Sequence, residues 1–141
     1  MSEGAPPRPL LPVPQPETDF YWARAREHEL WFMHCEDCSS TYFYPRPICP
    51  RCFSRNTRWI QSSGRGTVYA FSIVHRPPIP AFQERVPYVA ALVELEEGAR
   101  MPTNLVDVEP DPANIRVGMA VEVVFDDFNE ATALPKFRPS R

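Results

Sequence analysis

The chain has 141 residues, with 15 Lys and Arg against 18 Asp and Glu, a net charge of -3, five glycines, eighteen prolines and four cysteines. That length suits one compact unit or two small joined ones, and the acidic balance argues against free nucleic acid or an anionic membrane as partner. No apolar run approaches the roughly 18 residues of a bilayer span and the start MSEGAPPRPLLPVPQP lacks a signal pattern, so a soluble cytoplasmic protein is expected.

Residues 1–16 carry Pro6, Pro7, Pro9, Pro12, Pro14 and Pro16, a density that excludes helix and predicts an extended tail or linker, as at the start of a chain cut from a longer polypeptide. From 17 to 33, TDFYWARAREHELWF predicts a helix, with Thr18 or Asp19 as cap and Ala23 to Glu27 as adequate formers. Phe20, Tyr21 and Trp22 are consecutive, so no single helix face buries all three. One or two should pack on the core, leaving the remainder, with Trp31, to a partner.

Residues 34–62 hold every cysteine. Cys35-x2-Cys38 and Cys49-x2-Cys52 are ten residues apart, the spacing at which two tight knuckles bring four thiolates onto one tetrahedral ion. The intervening STYFYPRPI can run out and back as a hairpin, and zinc suits the sulfur set better than iron in an ordinary cytoplasm. Two disulfides need an oxidising compartment that nothing here indicates, and a redox pair leaves the second C-x2-C idle. Four sulfurs fill zinc's coordination sphere, so the expected metal is structural. Arg46, Arg51, Arg55, Arg58 and Arg65 follow without an acid among them, either as counter-charge for a dianionic cluster or as a phosphate-binding patch.

From 63 to 139 the pattern is of strands. GTVYAFSIVH alternates with period two, and PYVAALVEL, RMPTNLVDV, VGMAVEVVFDDF and ATALPKF follow, with turns at Glu97-Gly98 and from Asp111-Pro112 to Gly118. About five short strands with little helix predict a small closed barrel, an OB-fold by strand count. The loop RPPIPAFQERVP is stiffened by Pro77, Pro78 and Pro80, and its Ile79 and Phe82 are candidate contact residues. His34 reads as a knuckle neighbour, His28 as part of a polar helix face and His75 as a strand-end residue. No Ser-His-Asp set, phosphate loop or carboxylate pair is legible, so no catalytic residue is assigned.

These parts in this order, with the strings SGRGTVYAFSIVHRPP, PYVAALVELEEG, TNLV, VGMAVEVVF and ALPKFRP, resemble the bacterial and archaeal zinc-ribbon plus OB-fold family associated with acyl-CoA enzymes, over residues 17–139. The resemblance implies a mainly β fold: an N-terminal helix, a rubredoxin-like zinc ribbon and a C-terminal OB barrel. It implies Cys35, Cys38, Cys49 and Cys52 as zinc ligands and Ser63 to Gly66 as the ribbon-to-barrel join. The implied role is that of an accessory subunit beside a thiolase-like or lipid-transfer-type aldolase of steroid side-chain or lipid breakdown, with two copies of each chain, or beside a MaoC-like hydratase. Acyl-CoA is the ligand such a subunit would share with its partner. Ser39 and Phe53 depart from the family pattern, since glycine usually follows each knuckle's second cysteine, where the backbone often needs positive φ. The alternative from another class is a single-strand nucleic-acid binder, a use common to ribbons and OB-folds.

Overall fold

A computed structural model describes residues 11–140. The first ten residues of the expected proline-rich tail therefore lie outside the described residues. Helix α1 (Asp19–Arg26) leads into β1 (Trp31–Cys35), β2 (Thr41–Tyr42) and β3 (Thr57–Gln61), then β4 (Arg65–Val74), β5 (Tyr88–Leu95), β6 (Arg100–Leu105), β7 (Ala120–Asn129) and β8 (Thr132–Pro139). The first three strands form an antiparallel sheet in the order β2-β1-β3. The last five close a barrel in the order β4-β5-β6-β8-β7, with β7 returning to β4. Only the β6–β8 contact is parallel, which gives the OB arrangement expected from strand count.

The helix expected over 17–33 is shorter. It ends at Arg26 in a Schellman motif, in which His28 N–H donates to the Ala25 carbonyl at 2.9 Å and Glu29 N–H to the Arg24 carbonyl at 2.9 Å. That motif puts His28 at φ 62, a left-handed position that a non-glycine residue seldom occupies. Tertiary contacts hold it there. The His28 ring stacks on Phe125 at 5.1 Å, and its Nε2 lies 2.8 Å from Asp127 Oδ1. Trp31 and Phe32, expected in the helix, belong to β1. Nor does Thr18 cap the helix, because its buried hydroxyl accepts from Gln15 N–H at 2.9 Å and closes the preceding turn.

The main core fills the barrel with Val68, Val89, Val93, Val121 and Phe137, and extends to Tyr21, Leu30 and Phe32 from the helix and ribbon. Each such large side chain contributes about 1.5–3 kcal/mol on burial. Strand β4 departs from simple alternation. Val68 pairs with Val93 and Ala70 with Leu92, so Tyr69 is the extra residue of a β-bulge. Before the bulge Val68 points inward, after it Phe71 and Ile73 do, and Tyr69 is left outside with the Arg100 guanidinium 4.0 Å above its ring.

The join from ribbon to barrel is crowded. Gly64 sits at φ 79, and a Cβ there would lie 2.5 Å from Val123 Cγ1. A Cβ on Gly66 would overlap the Glu94 carbonyl oxygen. Ser62 Oγ donates to Glu97 Oε1 at 2.5 Å and Ser63 Oγ to Glu96 Oε2 at 2.8 Å, which ties the end of the ribbon to the β5–β6 turn.

Candidate metal centre and contact surfaces

The two knuckles are built alike. Cys35 N–H donates to the Ser40 carbonyl at 2.8 Å and Cys49 N–H to the Ser54 carbonyl at 2.9 Å, each closing a loop around its C-x2-C. In each loop the residue after the second cysteine is left-handed, Ser39 at φ 59 and Phe53 at φ 64. These are the two positions where glycine would be unstrained, and each holds a side chain at a cost of roughly 1 kcal/mol. The knuckles are also tied to each other: Asp37 accepts from the Ser54 hydroxyl and from Asn56 Nδ2 at 3.1 Å, and Glu36 N–H donates to the Asn56 carbonyl at 2.9 Å.

This brings all four sulfurs within 4.8 Å of one another. Cys35 Sγ lies 3.6 Å from Cys52 Sγ, and Cys38 Sγ 3.6 Å from Cys49 Sγ. A tetrahedron with zinc–sulfur arms of about 2.3 Å has edges of about 3.8 Å, so the set fits such an ion. Cys35 and Cys49 are fully buried, while Cys52 faces solvent. Hydrogen bonds from the Ser40 hydroxyl and backbone draw the Cys38 thiol down to about 6. A backbone hydrogen bond at Ser54 also lowers the Cys52 thiol, but desolvation and the three neighbouring sulfurs outweigh it and push that thiol up to about 12. Four sulfurs this close cannot all ionise unaided. A dication supplies the charge that lets them.

The arginine run divides. Arg58 pairs with Glu36 and Arg46 Nε donates to the Tyr44 carbonyl at 3.3 Å, whereas Arg51 N–H donates to Cys49 Sγ at 3.4 Å and both the Arg51 and Arg55 side chains are exposed. His34 is a cross-strand partner, its Nδ1 lying 2.9 Å from Thr41 Oγ1. His75 is exposed at the end of β4.

The aromatic cluster of α1 is used internally more than sequence suggests. Tyr21 is 2% exposed and cannot touch a partner. Burial, then the neighbouring Tyr44, raises its phenol above the ordinary tyrosine range. Phe20 packs on Trp59 at 4.6 Å and edge-on to Trp31 at 5.4 Å, and Trp22 Nε1 donates to Tyr44 Oη at 2.7 Å. The helix lies between ribbon and barrel, so two of its faces are covered rather than one. Ile79 and Phe82 are half-buried. Phe82 meets Tyr88 at 6.0 Å, beside a groove of about 350 Å³ that Arg85, Leu105 and Lys136 also line. Among the described residues the most exposed large apolar side chain is instead Phe53, at 78%, on the second knuckle. Its sequence signal was the missing glycine.

Family models for the ChsH2 rubredoxin-like zinc ribbon domain and the ChsH2 C-terminal OB-fold domain match residues 22–58 and 59–126. The chain belongs to the ChsH2-type DUF35 family. A solved chain of the Ltp2-ChsH2(DUF35) aldolase is 36% identical, with TM-score 0.76 over 92% of this chain and 98% of that one. A DUF35 domain-containing scaffold protein of Pyrococcus furiosus is 42% identical over 84% of this chain and 90% of its own length. The 3-oxo-4,17-pregnadiene-20-carboxyl-CoA hydratase alpha subunit of Mycobacterium tuberculosis is 38% identical over 84% of this chain. The chain spans 37% of that protein's length and 41% of that of the probable enoyl-CoA hydratase alpha subunit of Thermomonospora curvata. Among the described residues no helix is long and apolar enough to cross a membrane.

Proposed function

We propose that this chain is a non-catalytic accessory subunit that binds and stabilises a thiolase-superfamily aldolase acting on acyl-CoA, in steroid side-chain or lipid breakdown. The observation that carries this reading is the match to the Ltp2-ChsH2(DUF35) aldolase, whose DUF35 chain this one covers almost end to end. Cys35, Cys38, Cys49 and Cys52 hold a structural zinc whose four positions are filled by sulfur, so the ion fastens the ribbon and leaves no place for a reacting water.

Several half-exposed side chains are the proposed contact surface: Phe20 and Trp22 on α1, Trp31 at the start of β1, and Ile79 and Phe82 in the proline-stiffened loop. The groove beside Phe82 is small for a ligand site, at about 350 Å³, and open on one side. It would hold part of an acyl-CoA, with the partner supplying the rest. A two-fold symmetric enzyme dimer would take two copies of this chain. The hydratase alpha subunits among its relatives support a MaoC-like hydratase as a second partner, since this chain matches only part of their length. The nucleic-acid alternative draws no support from these relatives, and a net charge of -3 opposes it.

Co-expression with a lipid-transfer-type aldolase tests the reading. A two-plus-two complex should elute together, and carbon–carbon cleavage of the acyl-CoA substrate should depend on this chain. An aldolase that is soluble and fully active alone would sink it. So would salt-sensitive, tight binding of single-stranded oligonucleotides by this chain.

A further inference from the structure

The second knuckle carries a feature that folding does not explain. Phe53 sits at φ 64, a conformation in which any side chain is strained, and its ring is 78% exposed. The equivalent position of the first knuckle, Ser39 at φ 59, holds a small polar residue. A phenyl ring in the strained position gains no core packing in return, and strain of this kind that the fold does not use points to function. The loop that presents the ring is rigid. Phe53 N–H donates to the Cys49 carbonyl at 2.9 Å and Cys49 N–H to the Ser54 carbonyl at 2.9 Å, so the ring is held by the metal site itself.

Arg51 and Arg55 stand two residues to either side, within about 7 Å of extended backbone, and both are exposed. The acids of the first knuckle are already engaged, Glu36 with Arg58 and Asp37 with Ser54 and Asn56. The tip therefore presents an exposed aromatic ring on a loop that carries two exposed arginines, one on each side of it in sequence. Phenylalanine and arginine are enriched at the centres of protein interfaces, where an apolar anchor fills a pocket and charges at its rim select the partner.

We propose that Phe53 is a knob that enters an apolar socket on the partner enzyme, rimmed by carboxylates that pair with Arg51 and Arg55. This rests on the reading of the chain as an enzyme's accessory subunit and names the surface and chemistry of the contact. A second copy of this chain fits less well, because a two-fold contact through the tip would set arginine against arginine. An anionic lipid surface fits less well too, because two arginines are fewer than the roughly four to eight clustered basic residues such a surface typically takes.

Phe53→Gly separates this role from folding, because glycine relieves the backbone strain while removing the ring. The variant should retain zinc as well as or better than the parent, yet bind the co-expressed aldolase at least tenfold more weakly by calorimetry. Arg51→Gln with Arg55→Gln should slow association and flatten its dependence on salt. Equal affinity of Phe53→Gly and the parent would overturn the knob and leave the accessory role standing. So would loss of zinc in step with loss of binding, which would make the ring structural. Binding of the parent to phosphatidylglycerol vesicles that disappears in Phe53→Gly, with enzyme affinity unchanged, would assign the tip to lipid and overturn the proposal. Failure of the parent itself to bind the aldolase would overturn this proposal and the reading beneath it.

Discussion

Ribbon and barrel solve the same problem with different means. The barrel closes on itself and buries a contiguous set of side chains running from Val68 and Val93 through Phe137 to Phe32. The ribbon's own cluster is Met33, Cys35, Tyr42 and Cys49, two of which are metal-ligand candidates. One unit is held by apolar surface removed from water, the other by an ion that replaces a core too small to exist. Yet they are not independent, because β1 sends Phe32 into the barrel core and Cys35 to the knuckle, three residues apart on one strand.

The largest effect should come from the ion. Apparent binding energies of structural zinc are about 10–16 kcal/mol, so a strong chelator or Cys49→Ser should unfold the ribbon outright. Amide spectra are expected to lose the dispersed signals of β1 to β3 while β4 to β8 stay folded with a lower melting temperature, because Leu30 and Phe32 leave their places. Full retention of the ribbon signals without metal would contradict the contrast. Next comes Phe137→Ala, at the fully buried centre of the barrel, which should cost about 3–5 kcal/mol in denaturant unfolding. Below the unfolding transition the zinc content should stay at one per chain.

Smaller effects probe the seam. Gly66→Ala drives a Cβ against the Glu94 backbone, which cannot swing away, and should cost about 1–3 kcal/mol with zinc retention unchanged. Smallest is Trp22→Phe, which keeps an aromatic, though smaller, ring and removes the hydrogen bond to Tyr44, at about 0.5–1.5 kcal/mol. A thermal shift near zero in that variant would mean that packing of Tyr21, Ala25 and Phe20 holds the helix without that hydrogen bond.

How far these features can be read from residues varies with how local their causes are. The C-x2-C spacing, the period-two runs of β5 and β7 and the turn at Gly98 are each set within a few residues, and each is legible. Strand β3 is not, because Thr57–Gln61 contains two of its bulky residues side by side, Trp59 and Ile60, and follows a string of arginines that reads as counter-charge. The bulge at Tyr69 is equally hidden: alternation continues on either side of it, and only pairing with β5 reveals the extra residue.

By itself, then, the chain determined its class: four thiols at knuckle spacing, a barrel's worth of short alternating strands, and a family resemblance that the ChsH2 models bear out. These rest on local backbone preference and on chemistry carried within a single loop. Tertiary structure alone decided where the helix stops, which rings are covered and which one is left outside. His28 turns the chain because Phe125 and Asp127, almost a hundred residues on, hold it there, and Tyr21 disappears from the surface because two β units close over it. Such choices depend on contacts between segments distant in sequence, whose energies have no signature until the segments meet.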